Sequence, residues 1–412
     1  MTDLLARIFK IDKRIARNTL VTYFGFGIQV LMALFQVKIL TNWLSKATLG
    51  AYFYAFGLSL FAMGIAMAGS QAVCTRFIPY FEANGRRDDA EGLLGALTAI
   101  YFTLGVLGII LLETFVPEVK RFGAARAALI LGYMQVLSFA LQGQRKMVAF
   151  AVIPTTFTVV HNLTLFLLRR SLEPQVIFVS MALWATLGIV VEMAVMGLNV
   201  SLRKSTSVFG EIFHFWMFSF ANGLLYPILM YADRAIMWRF TSPSEVALFS
   251  VAKKASEAIR RTLHVLSHVA APEISYDSVL GDGAVAKIYW KSYILMSLLL
   301  AALAIAFGKK IIVILATKAY LPSYKYLVLL VLAVVISSPW ESAAIVEYSK
   351  GRMNRSFGLW ATWSAIYLLL AVVLASKIGG IGVALAYISA SALLTAYVLR
   401  DIFKFQFTQR AR

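Results

Sequence analysis

The sequence predicts an all-α polytopic membrane protein with about twelve transmembrane helices in two pseudo-symmetric six-helix lobes. Three observations predict it. Of the 412 residues, 60% are apolar and only 14% charged, with a mean hydropathy of +0.77, whereas soluble domains are about half apolar and a quarter charged. Apolar runs of bilayer length, about 20 residues, follow one another with short loops and leave no room for a separate soluble domain. Finally, the two halves of the chain align on each other.

The spans read as roughly 19–41, 48–75, 91–114, 124–143, 146–168 and 176–199, then 211–238, 245–269, 289–315, 322–346, 356–375 and 379–402. This divides the chain into a basic segment 1–18, an N-lobe 19–204, a C-lobe 205–402 and a basic tail 403–412. In the first segment Leu4, Leu5, Ile8 and Ile15 interleave with Arg7, Lys13, Arg14 and Arg17, a pattern suited to a helix lying on an anionic membrane face. It is not expected to be a cleavable signal peptide, because a full-length span follows it without a small-residue cleavage site.

The formal charge of +19 would suit nucleic acid, but the basic residues sit mostly in short loops. Twenty-one of the 39 Lys and Arg fall on the side that carries both termini and about 12 on the other, which makes both ends cytoplasmic. Cys74 stands alone, so no intrachain disulfide is available, and the four histidines are too scattered for a recognisable metal site. Nothing calls for a cofactor beyond a coupling ion, H+ or Na+.

The repeat rests on residues 39–55, which align without gaps on 236–252: a span end, a polar turn and the start of the next span. Arg145 and Phe150 likewise match Arg352 and Phe357 after the fourth and tenth spans. Because six spans is an even number, the halves enter from the same side, a parallel repeat.

The eighth span carries the unusual chemistry. Measured from Lys253 at 100° per residue, Lys253, Lys254, Glu257, Arg260, Arg261, His264 and His268 lie at about 0, 100, 40, −20, 80, 20 and 60°. They fill one third of the circumference, opposite Val251, Ala255, Ile259, Thr262 and Leu266. A basic residue in mid-membrane costs about 2.5–3.5 kcal/mol, so four facing lipid would cost roughly 10–14. A Lys253–Glu257 pair at i, i+4 offsets little of that. The cheaper solution turns the stripe into a water-filled cavity that attracts an anion; a soluble surface helix is the bland alternative. In the first lobe the equivalent span is small and apolar (Ala55, Gly57, Ala62, Gly64, Ala66, Ala68, Gly69), for close helix packing or for a bulky cargo.

Other polar residues within spans stay open between two roles. Asp233 and Arg234 form a local packing pair or extend the stripe, and Lys38 extends it or snorkels to the interface. Glu192 and Glu341 are coupling-ion sites or counter-ions. Pro154, Pro227 and Pro339 interrupt spans five, seven and ten and permit bends. Asn162 begins a glycosylation sequon but lies inside a span, where it cannot be used.

The turn at Leu49–Ala55, the Asp233–Met237 and Ser244–Lys254 passages and the basic loop Lys350–Ser356 resemble the multidrug/oligosaccharidyl-lipid/polysaccharide exporter superfamily, with the nearest likeness to its polysaccharide flippases of the Wzx O-antigen type. The resemblance spans essentially the whole chain. It implies a V-shaped, MATE-like transporter of the bacterial inner membrane that alternates access and moves an undecaprenyl-pyrophosphate-linked oligosaccharide from the cytoplasmic to the periplasmic leaflet. Twelve spans depart from the fourteen usual in the related peptidoglycan-precursor flippases.

On that basis Arg260, Arg261, Lys253 and Lys254 bind the pyrophosphate, with Arg234 and Lys38 assisting. His264 and His268 hydrogen-bond phosphate or sugar, and Glu257 orients its basic neighbours. The expected partners are the lipid-linked cargo, membrane lipids, and a polymerase and glycosyltransferases of the same polysaccharide; a monomer is the default and nucleic acid is excluded. Three rivals remain. A multidrug antiporter would call for an acidic cavity, a polymerase or ligase for catalytic residues on a large external loop, and an anion channel for only a basic stripe.

Overall fold

A computed structural model describes residues 13–280, 284–350 and 352–410. The basic segment expected over 1–18 lies outside the described residues as far as position 12, and the side chains of the expected tail 403–412 lie outside them too.

All regular structure among the described residues is helical. The helices are α1 (Lys13–Trp43), α2 (Lys46–Ala66), α3 (Ser70–Ala83), α4 (Arg87–Phe115), the short α5 (Pro117–Phe122), α6 (Ala124–Gly143), α7 (Met147–Leu167) and α8 (Pro174–Met196). They continue with α9 (Ser205–Phe240), α10 (Pro243–Leu280), α11 (Ala284–Leu315), α12 (Tyr324–Ser349) and α13 (Met353–Arg410).

Nine stretches among the described residues are long and apolar enough to cross a membrane. Outward faces of α4, α8 and α11 carry exposed Leu107, Ile110, Val190, Leu298 and Leu299, which water would penalise and lipid does not. The fold is that of an all-α polytopic membrane protein.

Two helix breaks fall at glycines, while the prolines expected to permit bends lie within helices that run on. Pro154, Pro227 and Pro339 all lie inside continuous helices. At Pro339 the carbonyl four residues back, on Val335, accepts the hydroxyl of Ser338 at 2.8 Å, so the bond that proline removes is replaced. The second expected span instead divides at Gly69, whose φ of +80° only glycine adopts cheaply.

In α13 the break is at Ile378–Gly379, where φ +62° and ψ −141° leave the helical region. A straight helix of 58 residues would run about 87 Å, twice a bilayer. It folds back: Trp363 Nε1 donates to Ser391 Oγ at 3.0 Å, and the Trp363 and Tyr387 rings meet at 4.7 Å. α13 therefore supplies the eleventh and twelfth spans as an antiparallel hairpin.

Contacts divide the chain into a first unit, residues 1–44 and 54–231, and a second, residues 45–53 and 232–412. The boundary falls inside α9 and not at position 204. The first half of α9 is held by its predecessors: Arg86 pairs with Glu211 at 2.9 Å, the Arg76 guanidinium lies 4.5 Å from the Phe215 ring, and Val208 and Ile212 join the buried cluster of Leu93, Leu97, Tyr101 and Leu137.

In this unit Gly64 of α2, and Gly69 just before α3, serve close packing. A Cβ on Gly64 would lie 2.5 Å from Pro227 Cγ, and one on Gly69 2.8 Å from the Phe220 nitrogen. In the second unit α12 packs on α10, α11 and α13, around Leu263, Tyr289, Tyr293 and Val334.

The aligned turns also meet. Ser45 and Ser242 accept the backbone N–H of Thr48 and Glu245 at 3.1 and 3.2 Å, matching N-caps at equivalent positions. Residues 45–53 belong to the second unit. Within it, Gly50 approaches the carbonyl of Pro243 so closely that any Cβ would overlap it.

Candidate functional site

α10 begins at the Ser242 cap and continues to Leu280 as one helix. Its first two turns are enclosed, with Val246, Ala247, Phe249 and Ser250 all buried. Its middle carries the charged stripe, which keeps α10 out of the apolar spans.

The stripe is not the open cationic face that its own spacing suggests. Lys253 is 7% exposed and its ammonium contacts Asp233 Oδ2 on α9. The other oxygen of Asp233 accepts the backbone N–H of Arg234 at 2.8 Å. Asp233 and Arg234 therefore do not form the local side-chain pair considered from the sequence. Nor does Lys253 take Glu257 as its ion-pair partner. Glu257 instead lies 3.6 Å from Lys254 Nζ and 4.0 Å from Arg234 Nη2.

One turn on, Arg260 Nη2 lies 3.2 Å from Glu341 Oε1 on α12, and Tyr293 of α11 donates to Glu341 Oε2 at 3.2 Å. The Arg260 guanidinium also lies 5.2 Å from the Tyr387 ring centroid of α13. Four helices besides α10 thus contribute to the cluster. The physical reason is the cost of burying charge: neighbouring helices supply carboxylates where an uncompensated cation would be expensive.

Compensation is incomplete. Among the described residues, five basic side chains (Arg234, Lys253, Lys254, Arg260, Arg261) meet three carboxylates (Asp233, Glu257, Glu341), a formal excess of two positive charges. The excess lies at one edge. Arg261 is exposed and has no ion pair within 4 Å among the described residues, while Lys254 and Arg260 keep 28% and 18% of their side chains exposed. These are the cationic side chains of the cluster that keep exposed surface. Lys253 and Arg234 sit behind them, almost fully buried.

The remaining candidates are dispersed. His264 is half-buried on the same helix; the side chain of His268 lies outside the described residues. Lys38 is half-buried on α1, in the first unit, whereas the cluster belongs to the second. Glu192 is also in the first unit, fully buried, where its Oε1 accepts the hydroxyl of Ser138. Its Oε2 has no hydrogen-bond partner, and no cation lies within 4 Å of it among the described residues.

Sequence reading missed Tyr293 and Tyr387. Nothing in their own helices marks them, and only the fold brings them to Arg260. A shallow surface depression lined by Phe240, Ser242, Glu245, Lys325 and Gly379 lies at the α9–α10 turn, away from the stripe.

No protein-family model matches the chain, and no curated protein matches its sequence. Solved structures do match its fold. It is similar to the lipid II flippase MurJ in an inward closed conformation, with a TM-score of 0.73 and 16% identity over 93% of this chain and 87% of that one. It is similar to an inward-facing multidrug resistance MATE transporter of the MOP superfamily, with a TM-score of 0.68 and 16% identity over 92% and 96%. A MOP superfamily transporter from Pyrococcus furiosus, described as having a binding pocket of reverse polarity, matches at TM-score 0.63 and 15% identity over 96% of both chains. The shared feature is the fold.

Proposed function

We propose that this chain is a transporter of the multidrug/oligosaccharidyl-lipid/polysaccharide exporter superfamily. It flips an undecaprenyl-pyrophosphate-linked oligosaccharide from the cytoplasmic to the periplasmic leaflet of a bacterial inner membrane, without chemistry on the cargo. Its substrate contacts are Arg260, Arg261 and Lys254, with His264 at their side; Lys253 and Arg234, each near a carboxylate, hold the cluster together.

The observation that carries this is the excess of cationic charge at the exposed edge of α10. A pyrophosphate is the part of such a cargo that hydrocarbon rejects. Arginine forks and lysine ammonium groups replace its hydration. The folds of a lipid II flippase and of a transporter with a pocket of reverse polarity support the same assignment.

Binding of a cationic drug at this cluster would need an unneutralised carboxylate there, and all three in the cluster lie within 4 Å of a basic side chain. Reconstitution tests the proposal. Proteoliposomes containing the chain should expose a labelled undecaprenyl-pyrophosphate oligosaccharide on the far leaflet. The Arg260→Ala, Arg261→Ala double variant, inserted at equal level, should be slower by at least tenfold, about the effect of losing one charge-assisted contact. Wild-type rates in the double variant remove the binding role, and transport of cationic drugs in place of the lipid would transfer the chain to the multidrug branch.

A further inference from the structure

Glu341 lies on α12, 1% exposed. The groups that face it are Arg260 from α10, Tyr289 and Tyr293 from α11 and Tyr387 from α13. On α12 itself Glu347 is almost two turns away and pairs with Arg352. Arg260 is the one cation within 4 Å of Glu341 among the described residues. Their contact at 3.2 Å is an ion pair without hydrogen-bond geometry, because Glu341 Oε1 has no hydrogen-bond partner. Arg260 is less enclosed than its partner, 18% exposed at the side chain against 1%, and is followed directly by exposed Arg261.

An incoming phosphoryl group therefore meets a guanidinium already in use. If it takes Arg260, the carboxylate behind is left buried among tyrosines, with the Tyr293 hydroxyl donating to it and no cation within 4 Å among the described residues. An isolated buried carboxylate is expensive, and such groups neutralise. Resting on the anion-binding role of α10, we propose that binding is an exchange: the phosphoryl oxygens replace Glu341 on Arg260, and Glu341 takes up a proton from solvent. The guanidinium stays charged throughout, and the only bond formed is the carboxyl O–H.

Head group and proton are then taken up together, on different residues. This is opposite in sign to a site where proton and cargo compete for one carboxylate. Linkage is reciprocal: between the pH at which the free site loses that proton and the higher pH at which the complex loses it, one proton is gained per anion and affinity falls about tenfold for each pH unit.

Titration calorimetry of the full chain in detergent, in two buffers of different ionisation enthalpy, counts protons per bound inorganic pyrophosphate. The probe's own protonation is the same for every variant and cancels in the comparison. Wild type should take up about one proton more per anion than Glu341→Gln, and the variant should bind about tenfold tighter at alkaline pH because Arg260 is already released. Equal proton counts with binding retained overturn the exchange and leave the anion site standing. Absence of binding to wild type removes the site and the exchange together.

Infrared difference spectra of wild type alone supply a readout independent of the variant's folding. The C=O stretch of a protonated buried carboxyl should appear on adding pyrophosphate, and its absence sinks the proposal. Farnesyl pyrophosphate in the same titration separates the sources. Tighter binding than the free ion assigns the site to a lipid-borne head group; weaker binding assigns it to a soluble anion and overturns the flippase cargo. The proton count decides the exchange in either arm.

Discussion

Lys253 and Asp233 are 7% and 3% exposed and in direct contact, so each is the reason the other can be buried. Removing one partner of such a pair leaves an uncompensated charge, at a cost of about 3–5 kcal/mol, while replacing both with apolar or neutral groups is often close to neutral. Lys253→Met and Asp233→Asn should each lower the apparent unfolding temperature in detergent. The double variant should recover most of the loss. Additive losses in the double variant would show that the two residues are not coupled. Arg261→Ala, at the exposed edge, should change stability by less than about 0.5 kcal/mol while weakening pyrophosphate binding.

The kinds of residue in this cluster were legible in the sequence, because a helical wheel places charges correctly on their own helix. Their partners were not. The i, i+4 rule pointed Lys253 at Glu257, but a carboxylate twenty positions back on α9 met it first, and Glu341 came to Arg260 from a helix about eighty residues on. Local spacing carries no information about which neighbouring span is adjacent.

At the scale of the element, the prolines expected to permit bends lie inside continuous helices, and the second span divides at a glycine. Proline removes one hydrogen bond, which a nearby hydroxyl such as Ser338 replaces; a positive φ has no such remedy in a residue with a Cβ. Gly69→Ala should therefore cost the left-handed conformation, about 1–2 kcal/mol, and in addition a Cβ contact of 2.8 Å with the Phe220 nitrogen. Gly85 has φ +71° with nothing within 4 Å of its Cβ position, so Gly85→Ala should cost the conformational part alone. Thermal unfolding of the two variants separates strain from packing, and equal losses would mean that the α3–α9 contact at Gly69 is not tight. The span pattern itself was readable because an apolar run of bilayer length needs no tertiary partner to be recognised. The division of the second span at Gly69 was not, since MetAlaGlySer is as apolar and small as its surroundings.

On the scale of the whole molecule, the repeat read from residues 39–55 and 236–252 matches what the structure holds at the two turns: equivalent serine caps, and close packing of Gly50 on Pro243. The division by contacts falls inside α9, one helix of 36 residues whose two ends are held by different neighbours, whereas span counting assigns each helix to one lobe only. An even number of spans per half also fixes which loops share a side, and this can be measured. Cys74 is the only cysteine and fully buried, so it gives a quiet background for labelling with a membrane-impermeant maleimide. Asn84 and Arg203 are exposed in loops on the Lys- and Arg-rich side, and Ala47 and Ser171 are exposed on the opposite one. In intact cells Ala47→Cys and Ser171→Cys should label, while Asn84→Cys and Arg203→Cys should label only after the inner membrane is opened. The reverse pattern would invert the chain in the membrane. A mixed pattern within either pair would contradict the parallel repeat, because residues 47 and 171 lie on one side only if the number of crossings between them is even.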